Sequence, residues 1–560
     1  MTGMQGDLQA GSLNHGTREV TTAMKWQWIL HARKLLDGEV AVGHLAGGGG
    51  LSWALVYPNT YHVGMSNLGF LSVYGLLRQS LGFRCERAFL PDPAYIRHIV
   101  EHSDLRTVET QTPLHDFDVM AFSISYELDF PNVVKLISMS GLPVMSADRD
   151  ERHPLIMAGG AITYLNPEPL ADFVDFFVLG EGERVLPELG GILKERICEP
   201  RESILRELSQ VKGVYVPRIH RPKGRDSSEA GNTADGGPFI IAGGSSPAYF
   251  HSPVITADTE FSSTVLMEIM RGCPYRCTFC VVGNSFGDFR ARPFSDIRDT
   301  LEDLPEKARR IGLIGASVNC HPEIREIMQY LRERSFFTTF SSMRIDRIEE
   351  HLLDVIDDQG NRTLTIAPES GSEEMRMSLK KRISDDDIYS ALSLAFKKGI
   401  TVLRLYFMTG LPGERDHDIR AIVAMVKKVR EMIIRGKSSC RVSLSINQFI
   451  PKAGTPLERE ETAPVSLIEE RMSELHRDLP KDIKANFESP GWSHIQALLA
   501  RGDRALSNVL SQAGKLSSYR SWTKCLRKCG IDEDRYLNRQ EIGRALPWAH
   551  IRKAGQIDSK

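Results

Sequence analysis

The chain has 560 residues, 41% of them hydrophobic and 25% charged, with a formal net charge of −2. That length exceeds what one hydrophobic core supports, so several domains are implied. The near-neutral balance excludes a globally basic nucleic-acid binder and leaves only local charged grooves for such a role.

The first 24 residues are polar, lack the apolar stretch of a signal peptide, and are expected to be a disordered N-terminus. No uninterrupted apolar run is long enough to span a bilayer, so no membrane insertion is expected. Cysteines number nine, and Cys85, Cys198, Cys320, Cys440, Cys525 and Cys529 are scattered. An odd, dispersed set argues against a disulfide framework and for a reducing, cytoplasmic location.

In chain order, "KWQWILHARKLLDGE" reads as an amphipathic helix opening a first domain over 25–215. Within it "LSWALVYPN", "FDVMAFSIS", "HPLIMAGG" and "DFFVLGEGE" read as apolar strands. "SNLGFLSVYGLLRQSLG" and "DFPNVVKLISMSG" read as helices between them. Continuous apolar strands alternating with helices predict an α/β domain with a doubly wound, Rossmann-like parallel sheet. A linker over 216–260 follows, including the Gly/Ser/Asp-rich tract "RPKGRDSSEAGNTADGGP" (221–238). From 261 to 460 the alternation resumes in "STVLMEIM", "IGLIGASVN", "FTTFSSMR", "RTLTIAPE", "TVLRLYFMTG" and "RVSLSINQFIP". Six such units predict a partial (βα)6 TIM-type barrel, whose chemistry belongs at the strand C-termini. The remainder, 461–560, reads as a helical C-terminal region carrying Trp492, Trp522 and Trp548.

The chemistry-bearing stretch is "MEIMRGCPYRCTFCVVGNSFGDFRARP" (267–293), which places Cys273, Cys277 and Cys280 in a loop just after the first barrel strand. Thiolates select zinc or iron–sulfur clusters. A closed zinc site needs a fourth Cys or His; none lies in the loop, and His321 is distant in the chain. A cubane cluster on three cysteines leaves one iron open, the property of a reactive centre.

"CPYRCTFC", with Phe279 directly before the last cysteine, strongly resembles the cluster motif of the radical S-adenosylmethionine (SAM) superfamily. The resemblance implies that Cys273, Cys277 and Cys280 hold a 4Fe-4S cluster whose open iron chelates SAM. It also implies reductive cleavage of SAM to a 5′-deoxyadenosyl radical, with electrons from a donor such as flavodoxin or ferredoxin. Later segments match the superfamily in order. "TIAPESGS" places Glu369 and Ser370 where relatives contact the ribose or methionyl part of SAM. "YFMTGLPGE" places Gly410 and Gly413 under the adenosine, and "INQFIPKAGTP" places Ile450 beside the adenine. "SSMRID" puts Ser342 and Arg344 at another strand end. Arg344 is a candidate partner for the SAM carboxylate or, equally, for a structural barrel salt bridge. Where relatives carry Gly-Gly-Glu-Pro, this chain reads "GLIGASVNCHPE", so Ser317 or backbone carbonyls stand in for the amino-group contact. Cys320 at that strand end is a candidate hydrogen-atom donor or acid/base, against the alternative of a buried thiol.

A doubly wound domain before such a barrel resembles the cobalamin-binding domains of one radical SAM subclass. The loop "YPNTYHVGMSNLG" lacks the Asp-x-His-x-x-Gly motif: His62 is two residues before Gly64, and Thr60 replaces the aspartate. Relatives in the subclass often lack that histidine, so cobalamin stands as a candidate cofactor. "SIS" (123–125) and "AGG" (158–160) resemble the edges that accommodate its nucleotide tail. The alternative is a degenerate domain reused for substrate or partner binding. "NPEPLADFVDFFVLGEGE", "LLARGDRAL" and "LPWAHI" extend the resemblance to one family of cobalamin-domain radical SAM proteins over about residues 50–550. It implies methyl transfer if cobalamin binds. The alternatives are radical rearrangement, or RNA or peptide modification without it, and a non-catalytic metal-containing binding protein. In the tail, "LLARGDRALSNVL" and "SYRSWTKCLRKCG" interleave Arg, Lys and Trp as an RNA-contacting face would, although inward packing of an amphipathic helix explains them as well. Cys525 and Cys529 are two ligands at most.

Overall fold

The run SWALVY is apolar on both parities, so a strand formed there must be covered on both faces. The computed structural model shows this: β1 (Ser52–Tyr57) is buried throughout. Trp53, Leu55 and Tyr57 pack with Phe70, Tyr74 and Leu189 on one face. Ala54 and Val56 join Phe122, Phe130 and Leu498 on the other. The structure describes residues 26–43, 45, 48–220, 239–241, 250–341, 343–358 and 362–553. The expected disordered N-terminus, the tract 221–238 and Ser342 lie outside the described residues.

With β1 run β2 (Arg84–Phe89), β3 (Val119–Ser123), β4 (Leu155–Gly159), β5 (Phe176–Val178) and β6 (Val214–Tyr215), in the order β2-β1-β3-β4-β5-β6. The first five are parallel and β6 is antiparallel to β5. This is the doubly wound order with its switch point between β1 and β3, where such folds open a crevice at the strand C-termini. Strand β2, "RCERAF", escaped the apolar-run criterion because three of its six residues are charged. Their charges are met inside the fold: Arg87 pairs with Glu109 and Glu39, and Glu86 accepts from Thr107 and Thr110.

In the second half, β7 (Val265–Glu268) leads into a short antiparallel pair, β8 (Met270–Arg271) with β9 (Arg290–Ala291). Then β7 pairs in parallel with β10 (Arg310–Ile314), and β10 with β11 (Phe337–Phe340). A second parallel ladder runs β12 (Thr363–Glu369), β13 (Val402–Thr409), β14 (Arg441–Gln448) and β15 (Lys484–Phe487). All six expected barrel strands are present, and β15 adds a seventh from within the segment expected to be helical. Its sequence, "KANF", alternates exposed and half-buried residues at the ladder's edge and carries no apolar run to announce it.

The rest of the tail is mainly helical and covers the first domain. Trp522 and Leu526, on the helix Tyr519–Lys528, sit in one core with Phe130, Leu136 and Ile137. Arg501 donates to the carbonyls of Glu460 and Asn538, the latter at 3.2 Å. Arg504 pairs with Glu168 at 2.7 Å and donates to the Tyr215 hydroxyl at 2.9 Å. These arginines are committed to protein groups, which favours inward packing over a nucleic-acid face for this segment. Among the described residues no helix is long and apolar enough to cross a membrane.

Candidate active site at the barrel mouth

The β8–β9 pair pinches residues 272–289 into one loop at the C-terminal end of β7. At its base Gly272 has φ +72°, and a Cβ there would lie 2.7 Å from the Asp288 carbonyl oxygen, so the turn requires glycine. A Cβ on Gly283 would lie 2.0 Å from the Tyr275 carbonyl oxygen. The loop folds back on itself that tightly. Asn284 Nδ2 donates to the carbonyls of Cys277 (2.8 Å) and Cys280 (2.7 Å), and Thr278 N donates to Leu379 O (2.9 Å). Cys277 is buried, Cys273 and Cys280 are half-buried, and all three are free thiols. Burial pushes the Cys273 thiol up, and the neighbouring Cys280, Cys277 and Cys320 add to it. Burial likewise raises Cys277, against the pull of the Lys381 ammonium. Among the described residues no three His, Cys, Asp or Glu side chains are placed to hold a single metal ion.

Cys320 faces this loop. Its Sγ lies 3.1 Å from Ser317 Oγ and within 3.8 Å of the Tyr275 hydroxyl. Ser317 is itself buried, 3.3 Å from Asn319 Oδ1. His321 turns away: Nε2 lies 2.8 Å from the Arg292 carbonyl and Nδ1 accepts from Glu323 N, so both ring nitrogens serve the backbone. Arg344 stacks over the Tyr275 ring at 3.7 Å, forks onto Asp346 at 2.9 and 3.0 Å, and donates to Lys381 O at 2.9 Å. The Arg344 guanidinium is thus paired with Asp346 at the strand end.

On the opposite ladder Glu369 ends β12 with φ +71°, a conformation unusual for a residue with a side chain. Its carboxylate receives the Lys381 ammonium at 2.6 Å, and Lys381 is flanked by two further left-handed residues, Lys380 and Arg382. Three non-glycine residues in the left-handed region thus gather around one ion pair. Ser370 is buried, and its carbonyl accepts from Arg376 at 3.1 Å. Gly410, with φ +79°, donates its N–H to Glu414 Oε2 at 2.7 Å; a Cβ there would meet Ala463 and Ile468 at 2.9 Å. Gly413 also has positive φ, in open space. Phe279 packs with Met375, Leu379, Leu411 and Phe449. Ile450 is buried in the core shared by the first domain and the tail. Sequence reasoning did not single out Tyr275, Asn284, Lys381 or Arg347, whose Nε donates to the Tyr275 hydroxyl at 3.4 Å. Tyr275 and Asn284 lay within the quoted motif; Lys381 meets Glu369 only through the fold.

At the ends of β1 and β3, Asn67 Nδ2 donates to Ser125 Oγ at 3.1 Å and Asn59 Nδ2 to Asp129 at 2.9 Å. Gly160, in "AGG", has φ +109°, and a Cβ would lie 2.4 Å from Ile124 O, so this glycine lets two strand ends close up. His62 is drawn to the periphery, 2.9 Å from Asp258 and 3.4 Å from Glu260. Burial pushes the Asp129 carboxyl up to about 7, opposed by hydrogen bonds from Asn59 and Asn132 and reinforced by Glu127. The folded state therefore holds a proton that the unfolded chain releases between about pH 4 and pH 7, and stability falls as pH rises through that window. Asp129→Asn, neutral throughout, is expected to unfold at higher denaturant than the wild type near pH 8, by up to about 4 kcal/mol, and to lose that advantage near pH 4. Equal pH profiles of the two proteins would refute the assignment.

Comparisons with known proteins agree with this arrangement. The profile described as radical SAM proteins, N-terminal, matches residues 69–217, and that of the radical SAM superfamily matches residues 267–426. An uncharacterised protein of Methanocaldococcus jannaschii is 29% identical over 495 residues, 87% of this chain and 96% of the relative. A tRNA-2-methylthio-N(6)-dimethylallyladenosine synthase of Vibrio vulnificus is 26% identical over 242 residues, 40% of this chain and 48% of the synthase. The chain thus matches about half the length of that synthase. Among solved structures, the radical SAM methyltransferase TsrM of Kitasatospora setae, with tryptophan and a SAM analogue bound, aligns with a TM-score of 0.51 at 13% identity. That alignment covers 85% of this chain and 99% of TsrM, and it shows a shared fold. With the three-cysteine loop at the end of the first barrel strand and a matching N-terminal domain ahead of it, the chain belongs to the radical SAM superfamily.

Proposed function

We propose that the protein is a radical SAM enzyme in which Cys273, Cys277 and Cys280 hold a 4Fe-4S cluster and SAM lies across the barrel mouth. The observation that carries this is the loop itself: three free thiols on a backbone tied by Asn284 and two obligatory glycines, facing the strand ends. Soft thiolate donors at this spacing suit an iron–sulfur cluster with one open iron. When bound, the cluster supplies the electron that splits SAM into methionine and a 5′-deoxyadenosyl radical. The protein's own share is placement. Glu369 and Lys381 offer opposite charges to the amino and carboxylate groups of SAM. Gly413, with open space on its Cβ side, leaves the backbone open to close approach, and the half-buried Phe279 gives an apolar wall. Ser317 offers a hydroxyl, and Cys320 a thiol, at the mouth. An acidic one-electron donor of the flavodoxin or ferredoxin type fits exposed Arg276 on the loop, whose side chain is 75% accessible.

The finer reading is cobalamin-dependent methyl transfer. It is supported by the doubly wound sheet and its crevice, whose Asn59, Asn67 and Ser125 groups are neutral hydrogen-bonding partners suited to an amide-bearing corrinoid. His62, held by Asp258 and Glu260, takes no part as a cobalt ligand in this reading. Anaerobic reconstitution tests the first proposal: about four irons per chain and dithionite-dependent 5′-deoxyadenosine are expected. A zinc-loaded chain that leaves SAM intact would overturn it. For the second, a corrinoid absorbance should co-purify after growth with cobalamin, and its absence under those conditions counts against methyl transfer through cobalt.

A further inference from the structure

The rung that closes the cysteine loop is only two residues long on each side, and its register sets Arg271 directly opposite Arg290. Two like charges facing each other across a strand pair repel, and so short a hairpin has little intrinsic stability to resist them. What holds the rung is a carboxylate from the other domain. Glu181 follows β5 in the first domain. Its Oε1 accepts from Arg290 and lies 3.3 Å from Arg271 Nη1, and its Oε2 accepts from Arg290 Nη1 at 3.3 Å. Arg184 donates to the same Oε2 at 3.1 Å. Glu183 also pairs with Arg271, and Glu268 forks onto it at 2.9 and 2.7 Å. Three carboxylates thus alternate with three guanidinium groups, and the five side chains besides Arg184 are between 10% and 18% exposed. Pairs this well buried are weakly screened, and one left unmatched is costly. A second contact reaches the far side of the loop. Tyr164 donates to Ser285 O at 2.8 Å and meets the Phe286 ring edge-on at 5.4 Å.

We propose that Glu181 is a positioning residue for the iron–sulfur site: by bridging Arg271 and Arg290 it holds the loop shut at its base and so fixes where the Cys273 thiol sits relative to Cys277 and Cys280. Arg271 lies two residues before Cys273, with Gly272 as the only joint between them. The first domain is thereby a component of the cluster site rather than an appendage to it. This inference rests on the proposed role of the three cysteines.

The test uses the full chain, reconstituted anaerobically, and reads the electron paramagnetic resonance spectrum of the reduced cluster with and without SAM. Glu181→Gln is expected to keep most of its iron, to lose or diminish the SAM-induced spectral change, and to bind SAM about tenfold more weakly, as removal of a partner behind a ligand does. Glu188→Gln, exposed on the helix Gly182–Arg196, should match the wild type. Arg290→Gln should reproduce the Glu181→Gln spectrum, and the double variant should be no worse than either single one, because both break the same link. Wild-type spectra and SAM affinity in an iron-loaded Glu181→Gln, or additive effects in the double variant, would overturn the proposal. If Glu181→Gln proves insoluble, Arg290→Gln decides alone: an unchanged spectrum rejects the latch. A wild-type protein that assembles no iron cluster would instead overturn the function proposed above.

Discussion

Cys277→Ala is expected to abolish cluster assembly and SAM cleavage while leaving the first domain folded. The residue is 8% exposed and lies at the centre of the loop, between the partly open Cys273 and Cys280. Its structural contribution is made through the backbone, since its carbonyl accepts from Asn284 at 2.8 Å, and alanine keeps that bond. The thiol itself is a small group whose removal from a loop has a modest packing cost, about 1 kcal/mol or less. Loss of one ligand in three leaves a site that cannot hold a cubane, so iron should fall from about four per chain to near background. Circular dichroism and the unfolding midpoint should change little. Cys525→Ala, in the tail helix far along the chain, is the matched control and should retain cleavage. Full SAM cleavage by Cys277→Ala would mean that the three thiols are not the cluster ligands.

How much of this was legible before the structure depends on where each element's stabilising partners lie. Strands β1, β3 and β4 announce themselves because burial on both faces forces unbroken apolar runs. Strand β2 does not, because Arg87 is neutralised by Glu109 and Glu39 from elsewhere in the fold, while Arg84 and Glu86 pair with each other and Glu86 also accepts from two threonines. Strand β15 is short and polar at an edge, and β6 runs antiparallel on two residues, too few to carry a period. The cysteine triplet is legible for the opposite reason: its ligands must be close in sequence to sit on one loop, so spacing alone carries the signal. Glu369, Ser370, Gly410 and Gly413 were placed at strand ends by motif order, and the structure puts them at the ends of β12 and β13. Lys381 and Arg347 come together with the loop only in three dimensions, Lys381 over the Phe279 ring and Arg347 at the Tyr275 hydroxyl. Glu181 lies about 90 and 110 residues from the two arginines it bridges, so no local pattern could have connected them.

The two domains are also joined by a buried ion pair, and there the expected effect is on stability. Glu127, in the turn after β3, is 2% exposed. Its carboxylate is met by the Lys452 ammonium, from the segment after β14, and by Gln496 Nε2 at 3.0 Å. Lys452→Met keeps the aliphatic bulk of the side chain but leaves the carboxylate buried with one neutral donor. Breaking a buried pair from one side is far worse than replacing both partners, so a loss of about 3–5 kcal/mol is expected in denaturant unfolding. Adding Glu127→Gln should recover most of it, because the remaining amides can hydrogen-bond without an unpaired charge. A Lys452→Met protein within about 1 kcal/mol of the wild type would show that the pair is solvated and contributes as surface pairs do. The same carboxylate lies beside Asp129, whose proton affinity it raises. The double variant should therefore also lower the pH at which Asp129 titrates, a shift that nuclear magnetic resonance of its carboxyl can follow. Stability recovery and the titration shift arise from one charge, so they should appear together or not at all.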